Sequence, residues 1–365
     1  MTFQTIDQVL PLLELIAQPA FCLRNDGSIL CNRQARLLAP FSWQDLPMWL
    51  GNSAETYEQW DRSSKLVLPV TLGSQTCSVI LQPLSDGTMF LLSPCQELTA
   101  GGSQMAVMAQ VLRQPLTELC SLAQQLSEDL EEMEDPVLQQ QTASMSRMIY
   151  RLSRIACDLA DLEHLQAGTY PMQIQKLDLT SMLQDLTVEL TDICQAAGYR
   201  LECRLPVQQV LVMADSVLLE RALLNLLSNA MKYGRKDTPI RLILDCTSTT
   251  AYIQIRNTCN QAESDLLSAA FQRLSQRGVL PDPQWGIGLG LPLALNIARL
   301  MGGTVTVEAD RERTVSVTLS ISRKRVLQDP AVQTLPPYDY TGGMRRSLVE
   351  LSDVLPDDCY DSTAI

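Results

Sequence analysis

The sequence predicts an α+β chain of three parts followed by a tail. Three observations carry this. Short apolar runs separated by turn signals fill the first ~95 residues. Two long runs with apolar residues three and four apart lie between residues 103 and 166. From Leu177 to about Ser322 strand and helix patterns alternate, and a glycine cluster sits near their end. The boundaries read are therefore 1–98, 103–166, 177–322 and a tail over 323–365.

In the first part, Phe21–Arg24 and Ser28–Cys31 flank Asn25-Asp26-Gly27, a hairpin signal. Lys65–Leu72, Gln75–Leu84 and Thr88–Leu92 follow, the last two separated by Ser85-Asp86-Gly87. The order is two short strands, a helical middle and three strands. It resembles a PAS sensor domain in this layout and in its opening, PAFCLRNDGSILCNRQARLL. Another small α+β domain gives the same order.

In the second part, Met105, Met108, Leu112, Leu116, Leu119, Ala123, Leu126 and Leu130 form one seam. Pro136 and its acidic neighbours interrupt it. Leu138, Thr142, Met145, Ile149, Leu152, Ala156 and Leu159 form a second. Two such helices make an antiparallel hairpin that cannot cover both stripes alone. A second copy of the chain would complete a four-helix bundle, giving a homodimer; the alternative cover is the chain's own domains. The tail holds Pro330, Pro336, Pro337 and several acids, a composition of disorder. Within it Leu348, Leu351 and Leu355 share a helical face ahead of Pro356, which reads as a short docking helix.

Composition excludes several classes. A net charge of −13 argues against a nucleic-acid-binding surface. The 11 cysteines contain no C-x-x-C pair and accompany one histidine, so they read as reduced thiols of a cytoplasmic protein with no zinc site. The apolar stretch from Leu10 to Leu23 is broken by Pro11, Glu14 and Pro19, and is shorter than the roughly 20 residues that span a bilayer. No membrane segment or signal peptide is expected.

Two patterns carry chemistry. Gly286, Gly288 and Gly290 precede a helical run ending at Gly302-Gly303. A glycine-rich turn opening a helix presents backbone N–H groups and the positive dipole end, which hold phosphate. Upstream, Asn225 and Asn229 are four apart and Lys232 follows three later, so two amides and a cation share one helix face. Amide oxygens with an ammonium suit a magnesium–phosphate group. Asparagine is a poor helix former, so two of them in one apolar helix call for a role.

These segments, LLERALLNLLSNAMKYG and GIGLGLPLALNIARLMGGTVTVEAD, resemble the asparagine box and second glycine box of sensor histidine kinases, whose ATP-binding fold is shared with gyrase, Hsp90 and MutL proteins. The resemblance covers residues ~103–322. It implies an α/β sandwich with helices on one face of a mixed sheet, and ATP and Mg²⁺ as cofactors. By it, Asn229 ligates magnesium with Asn225 assisting, Lys232 meets phosphate, Tyr233 lies against adenine, and Gly286, Gly288 and Gly290 hold the phosphates beneath a lid to which Phe271 belongs. Arg273 and Arg277 reach the terminal phosphate or are simply solvated.

Two departures stand out. The first glycine box should read Asp-x-Gly-x-Gly, but the chain has Asn257, Cys259 and Gln261. An amide oxygen still accepts a hydrogen bond from the adenine amino group, without charge. The hairpin should open His-Glu-Leu-Arg-x-Pro-Leu; here it reads Gln110-Val111-Leu112-Arg113-Gln114-Pro115-Leu116. Gln110 has no basic nitrogen to attack a γ-phosphate, and Val111 cannot take a proton. His164, the only histidine, lies about 20 Å or more away along the second helix. The expectation is a dimeric, ATP-binding pseudokinase that docks a response regulator or another kinase. The alternative is an active protein kinase acting on a residue of another protein.

Overall fold

The computed structural model describes residues 5–36 (apart from 15 and 17), 50–92 (apart from 63, 73 and 74), 112, 115–126 (apart from 124), 136–167, 172–259, 290–323 (apart from 311 and 312) and 340–360 (apart from 342). The fold is mixed α+β.

Helix α1 (Ile6–Leu13) leads into strands β1 (Ala20–Arg24) and β2 (Ile29–Cys31), joined at Gly27, whose φ of +85° suits a residue without Cβ. Buried Asn32 braces this entry. Its Oδ1 accepts from the Ala20 and Ala35 amides, and its Nδ2 donates to the Ile16 and Gln18 carbonyls. After α2 (Arg33–Arg36) and α3 (Ala54–Gln59) come β3 (Lys65–Leu72), β4 (Gln75–Leu84) and β5 (Gly87–Leu92). The spatial order is β2-β1-β5-β4-β3, antiparallel throughout. One face packs Phe21, Leu66, Leu68, Leu81 and Phe90 around Trp60; the other seats α1 through Ile6 and Val9.

Residues 115–123 are helical, and α4 (Pro136–Ala167) runs for 32 residues. Leu116 meets Ala156 and Ala160, while Cys120, Ala123, Ile149 and Tyr150 join the main core. The second seam is therefore split. Thr142, Ile149 and Ala156 are buried, whereas Leu138, Met145 and Leu152 face outward.

The C-terminal half follows: β6 (Gln175–Asp178), α5 (Leu179–Ala196), β7 (Leu201–Arg204), β8 (Leu211–Ala214), α6 (Ser216–Tyr233), β9 (Ile240–Cys246), β10 (Thr250–Thr258), α7 (Gly290–Leu300), β11 (Thr304–Ala309) and β12 (Thr314–Ser322). Both long helices start at an aspartate cap. Asp178 accepts from the Thr180 amide at 3.0 Å, and Asp215 from Val217 and Leu218 at 3.1 Å. Leu183, Leu190, Leu218, Leu226, Leu293 and Ile297 pack against alternate strand residues Ile240, Leu242, Ile253, Ile255, Val305 and Leu319. Strand β10 runs on through Asn257, which pairs with Val315.

The sequence reading separates the first and third parts, yet the structure joins their sheets. Strand β11 pairs antiparallel with β3 through Val307 with Val67, Glu308 with Leu66, and Ala309 with Lys65. One ten-stranded sheet results, in the order β2-β1-β5-β4-β3-β11-β12-β10-β9-β7, with only β7–β9 parallel. Beside the seam, Glu55 accepts from the hydroxyls of Thr247 (2.9 Å), Thr249 (3.0 Å) and Thr250.

Residues 340–360 fold back onto the C-terminal half. They include α8 (Arg346–Glu350), and Leu348, Val349, Leu351, Leu355 and Tyr360 are fully buried in the main core.

Candidate functional site

Helix α6 exists because Asp215 caps it and its leucines cover the sheet. Its remaining face carries Arg221, Asn225, Ser228 and Lys232, spaced four, three and four. Three elements meet there: α4, the N-terminus of α7, and the C-terminal segment.

Asn225 is fully buried. Its Nδ2 donates to the Arg221 carbonyl (3.1 Å) and to Glu350 Oε2 (2.9 Å); its Oδ1 accepts from Arg154 at 2.9 Å. Arg154 also donates to Ser228 and pairs with Asp353 at 3.2 Å. Lys232 Nζ donates to Asp353 at 2.8 Å. Arg221 pairs with Asp158 and Glu350, both at 2.9 Å, and with Asp161, and it lies 4.4 Å over the Tyr340 ring. Arg147 and Arg151 extend the array to Asp357 and Asp353. Acids and bases alternate, so each buried charge has an opposite neighbour.

These surroundings act on the acids in opposite ways. Burial would raise the Asp353 carboxyl, but Arg154 and Lys232 hold it below its ordinary value. Burial pushes Glu350 up against the pull of Arg221, helped by Asp158. Tyr340, which donates to Glu350 at 3.0 Å, is also pushed up by burial.

Gly290 opens α7 directly over this face; a Cβ there would lie 2.7 Å from Asn225 Oδ1. Asn257 is buried at the far end of α6, donates to Cys259 Sγ at 3.1 Å, and lies where Gly234 ends the helix. Gly234 itself bridges to Cys259. Thus Gly290 abuts Asn225, Lys232 lies two turns further along the same face and is linked to it through Asp353 and Arg154, and Asn257 closes the other end beyond half-buried Tyr233. Asn229 is half-buried, one position round from Ser228. Gln110, Val111, Phe271, Arg273, Arg277, Gly286 and Gly288 lie outside the described residues. His164 falls within α4.

The sequence reading missed Arg154, Arg221, Glu350 and Asp353. A signal existed: Arg147, Arg151, Arg154, Asp158 and Asp161 form a charged stripe at helical spacing. Glu350, Asp353 and Asp357 form its complement in the tail.

As candidate holders of a nucleotide, the donor types fit. Asn229 offers an amide oxygen to a divalent cation, Lys232 an ammonium to phosphate, and the start of α7 its amide dipoles. Among the described residues no group of three or more histidine, cysteine or acidic side chains is arranged to hold a metal ion. No helix among them is long and apolar enough to cross a membrane.

Residues 214–325 match the family of histidine kinase-, DNA gyrase B- and HSP90-like ATPases, and so define the class of this domain. The sensor histidine kinase MtrB of Mycolicibacterium paratuberculosis is 27% identical over 195 residues, 53% of this chain and 34% of that protein. The signal transduction histidine-protein kinase AfsQ2 of Streptomyces coelicolor is 28% identical over 251 residues, 66% of this chain and 43% of that protein. The chain thus spans about a third to just under half of these curated relatives. Full-length ShkA in complex with AMPPNP aligns over 60% of this chain and 45% of that one, at 17% identity and a TM-score of 0.48. Residues 214–325 are thus a histidine kinase-, DNA gyrase B- and HSP90-like ATPase domain, and the chain is similar to the sensor histidine kinase family.

Proposed function

We propose that the protein is a nucleotide-binding signalling member of this family that does not phosphorylate itself. The observation that supports this most is the face of α6, which carries Asn225 and Lys232 and meets the N-terminus of α7 where Gly290 abuts Asn225. In this reading Asn229, assisted by Asn225, ligates magnesium. Lys232 and the amides around Gly286, Gly288 and Gly290 hold phosphate, and Tyr233 and Asn257 frame adenine. ATP would supply the ligand whose binding changes the shape of the site. Gln110 and Val111 supply neither nucleophile nor base.

The first part acts, in this reading, as a PAS-like sensor, supported by two strands, a helical middle and three strands. The hairpin acts as the dimer interface. Leu112, Leu119 and Leu126 are exposed at intervals of seven, and so are Leu138, Met145 and Leu152, which leaves one heptad stripe per helix for a second copy. Similarity to the family makes a response regulator or another kinase the proposed partner, and the cytoplasm the proposed location.

Incubating the full chain with γ-labelled ATP and Mg²⁺ tests the reading. No acid-labile label is expected, while ATP–Mg²⁺ should raise the melting temperature weakly and lose that effect in Asn229→Ala. Robust acid-labile labelling would overturn the pseudokinase reading. An equal thermal shift in Asn229→Ala would overturn the assignment of the site.

A further inference from the structure

We propose that the C-terminal segment 340–360 is an internal competitor of nucleotide, seated on the same face of α6 and excluding magnesium–phosphate while docked. This rests on the reading of that face as the nucleotide site. Glu350 takes the Asn225 amide at 2.9 Å, and Asp353 takes the Lys232 ammonium at 2.8 Å. Lys232 is the ammonium that phosphate would need, and Asn225 is the side chain proposed to assist Asn229 at the magnesium. Carboxylates present the same paired anionic oxygens that phosphate does, so the segment satisfies the site by like chemistry.

The seating also works against a metal. With the segment docked, Arg154 lies between Asp353 and Asn225, its guanidinium 2.9 Å from the Asn225 oxygen. A cation is thus already held at the oxygen that would assist a divalent ion, and the two repel. Arg147, Arg151 and Arg154 all come from α4, so the docked segment ties the hairpin to the C-terminal half through one set of acids.

Anchoring by Leu348, Leu351 and Leu355, each at most 1% exposed, makes docking the prevailing state. Nucleotide then binds only the minor population in which the segment has lifted. The apparent affinity falls by that fraction.

The test uses the full chain and two variants, Asp353→Asn and Leu351→Asp, titrated with ATP–Mg²⁺ by calorimetry. Hydrogen exchange is followed across residues 346–355 with and without nucleotide. Asp353→Asn is nearly isosteric and keeps the apolar anchors, so it stays informative if Leu351→Asp folds poorly. The expected result is roughly fivefold or tighter binding in Asp353→Asn. Adding Asn229→Ala should abolish that gain, and in the wild type exchange across the segment should rise as nucleotide saturates. Wild-type affinity in Asp353→Asn, with exchange unchanged by bound nucleotide, would overturn the competition and leave the nucleotide site standing. Absence of binding at millimolar ATP–Mg²⁺ in every form would overturn the site assignment and the competition with it.

Discussion

Gly290 lies so close to Asn225 that one added carbon would reach the amide oxygen at 2.7 Å. Asn225 has no room to yield, since Arg154, Glu350 and the Arg221 carbonyl hold its three polar contacts. Gly290→Ala should therefore cost about 1–3 kcal/mol, the range for overpacking. The urea midpoint measures this, and an unchanged midpoint would show that the helix start is free to shift. At this scale the spacing of Asn225, Asn229 and Lys232 was legible in the sequence, because a helix face follows from intervals of three and four. Their partners were not. Glu350 lies 125 residues from Asn225, and nothing local says which acid a buried amide will meet. The charged stripe on α4 was readable, but its apolar seam masked it.

Helix α4 shows why elements were easier to read than their surroundings. Its periodicity gave its existence, and Pro136 marks its start. Periodicity does not say which stripe the chain covers for itself, and the seam proves to be shared between the core and the outer face. The β strands of both halves were legible from alternation, yet the pairing of β3 with β11 was not, since an edge strand carries no label for its neighbour. The clasp beside that pairing yields a prediction. Glu55 is raised by burial, but hydrogen bonds from Thr250, Thr247, Thr249 and Tyr252 outweigh this and lower its pKa. A lowered folded value means that its stabilisation is present above the ordinary carboxylate range and is lost as pH falls through the folded pKa. Glu55→Gln should remove this acid-dependent step and cost about 1 kcal/mol at neutral pH. Urea midpoints measured across the acid range check it; a step of the same size in the variant would assign the dependence elsewhere.

For the whole molecule, the heptad-spaced exposed residues on the two hairpin helices predict a homodimer. Light scattering on the full chain at tens of micromolar should give twice the chain mass, and Met145→Glu with Leu152→Glu should give monomer. A monomeric wild type would leave those stripes to another partner. The ten-stranded sheet has a separate consequence. Were the β3–β11 junction to open, each strand would present a bare row of amides and carbonyls beside Val67, Val305 and Val307. Such an edge is a template on which another chain can grow, so the junction shields the molecule from fibrous self-association. Under the proposed sensor role, a stimulus acting on the first half would thereby be restricted in form. It can twist the sheet or slide its strands, but pulling the two halves apart would endanger solubility.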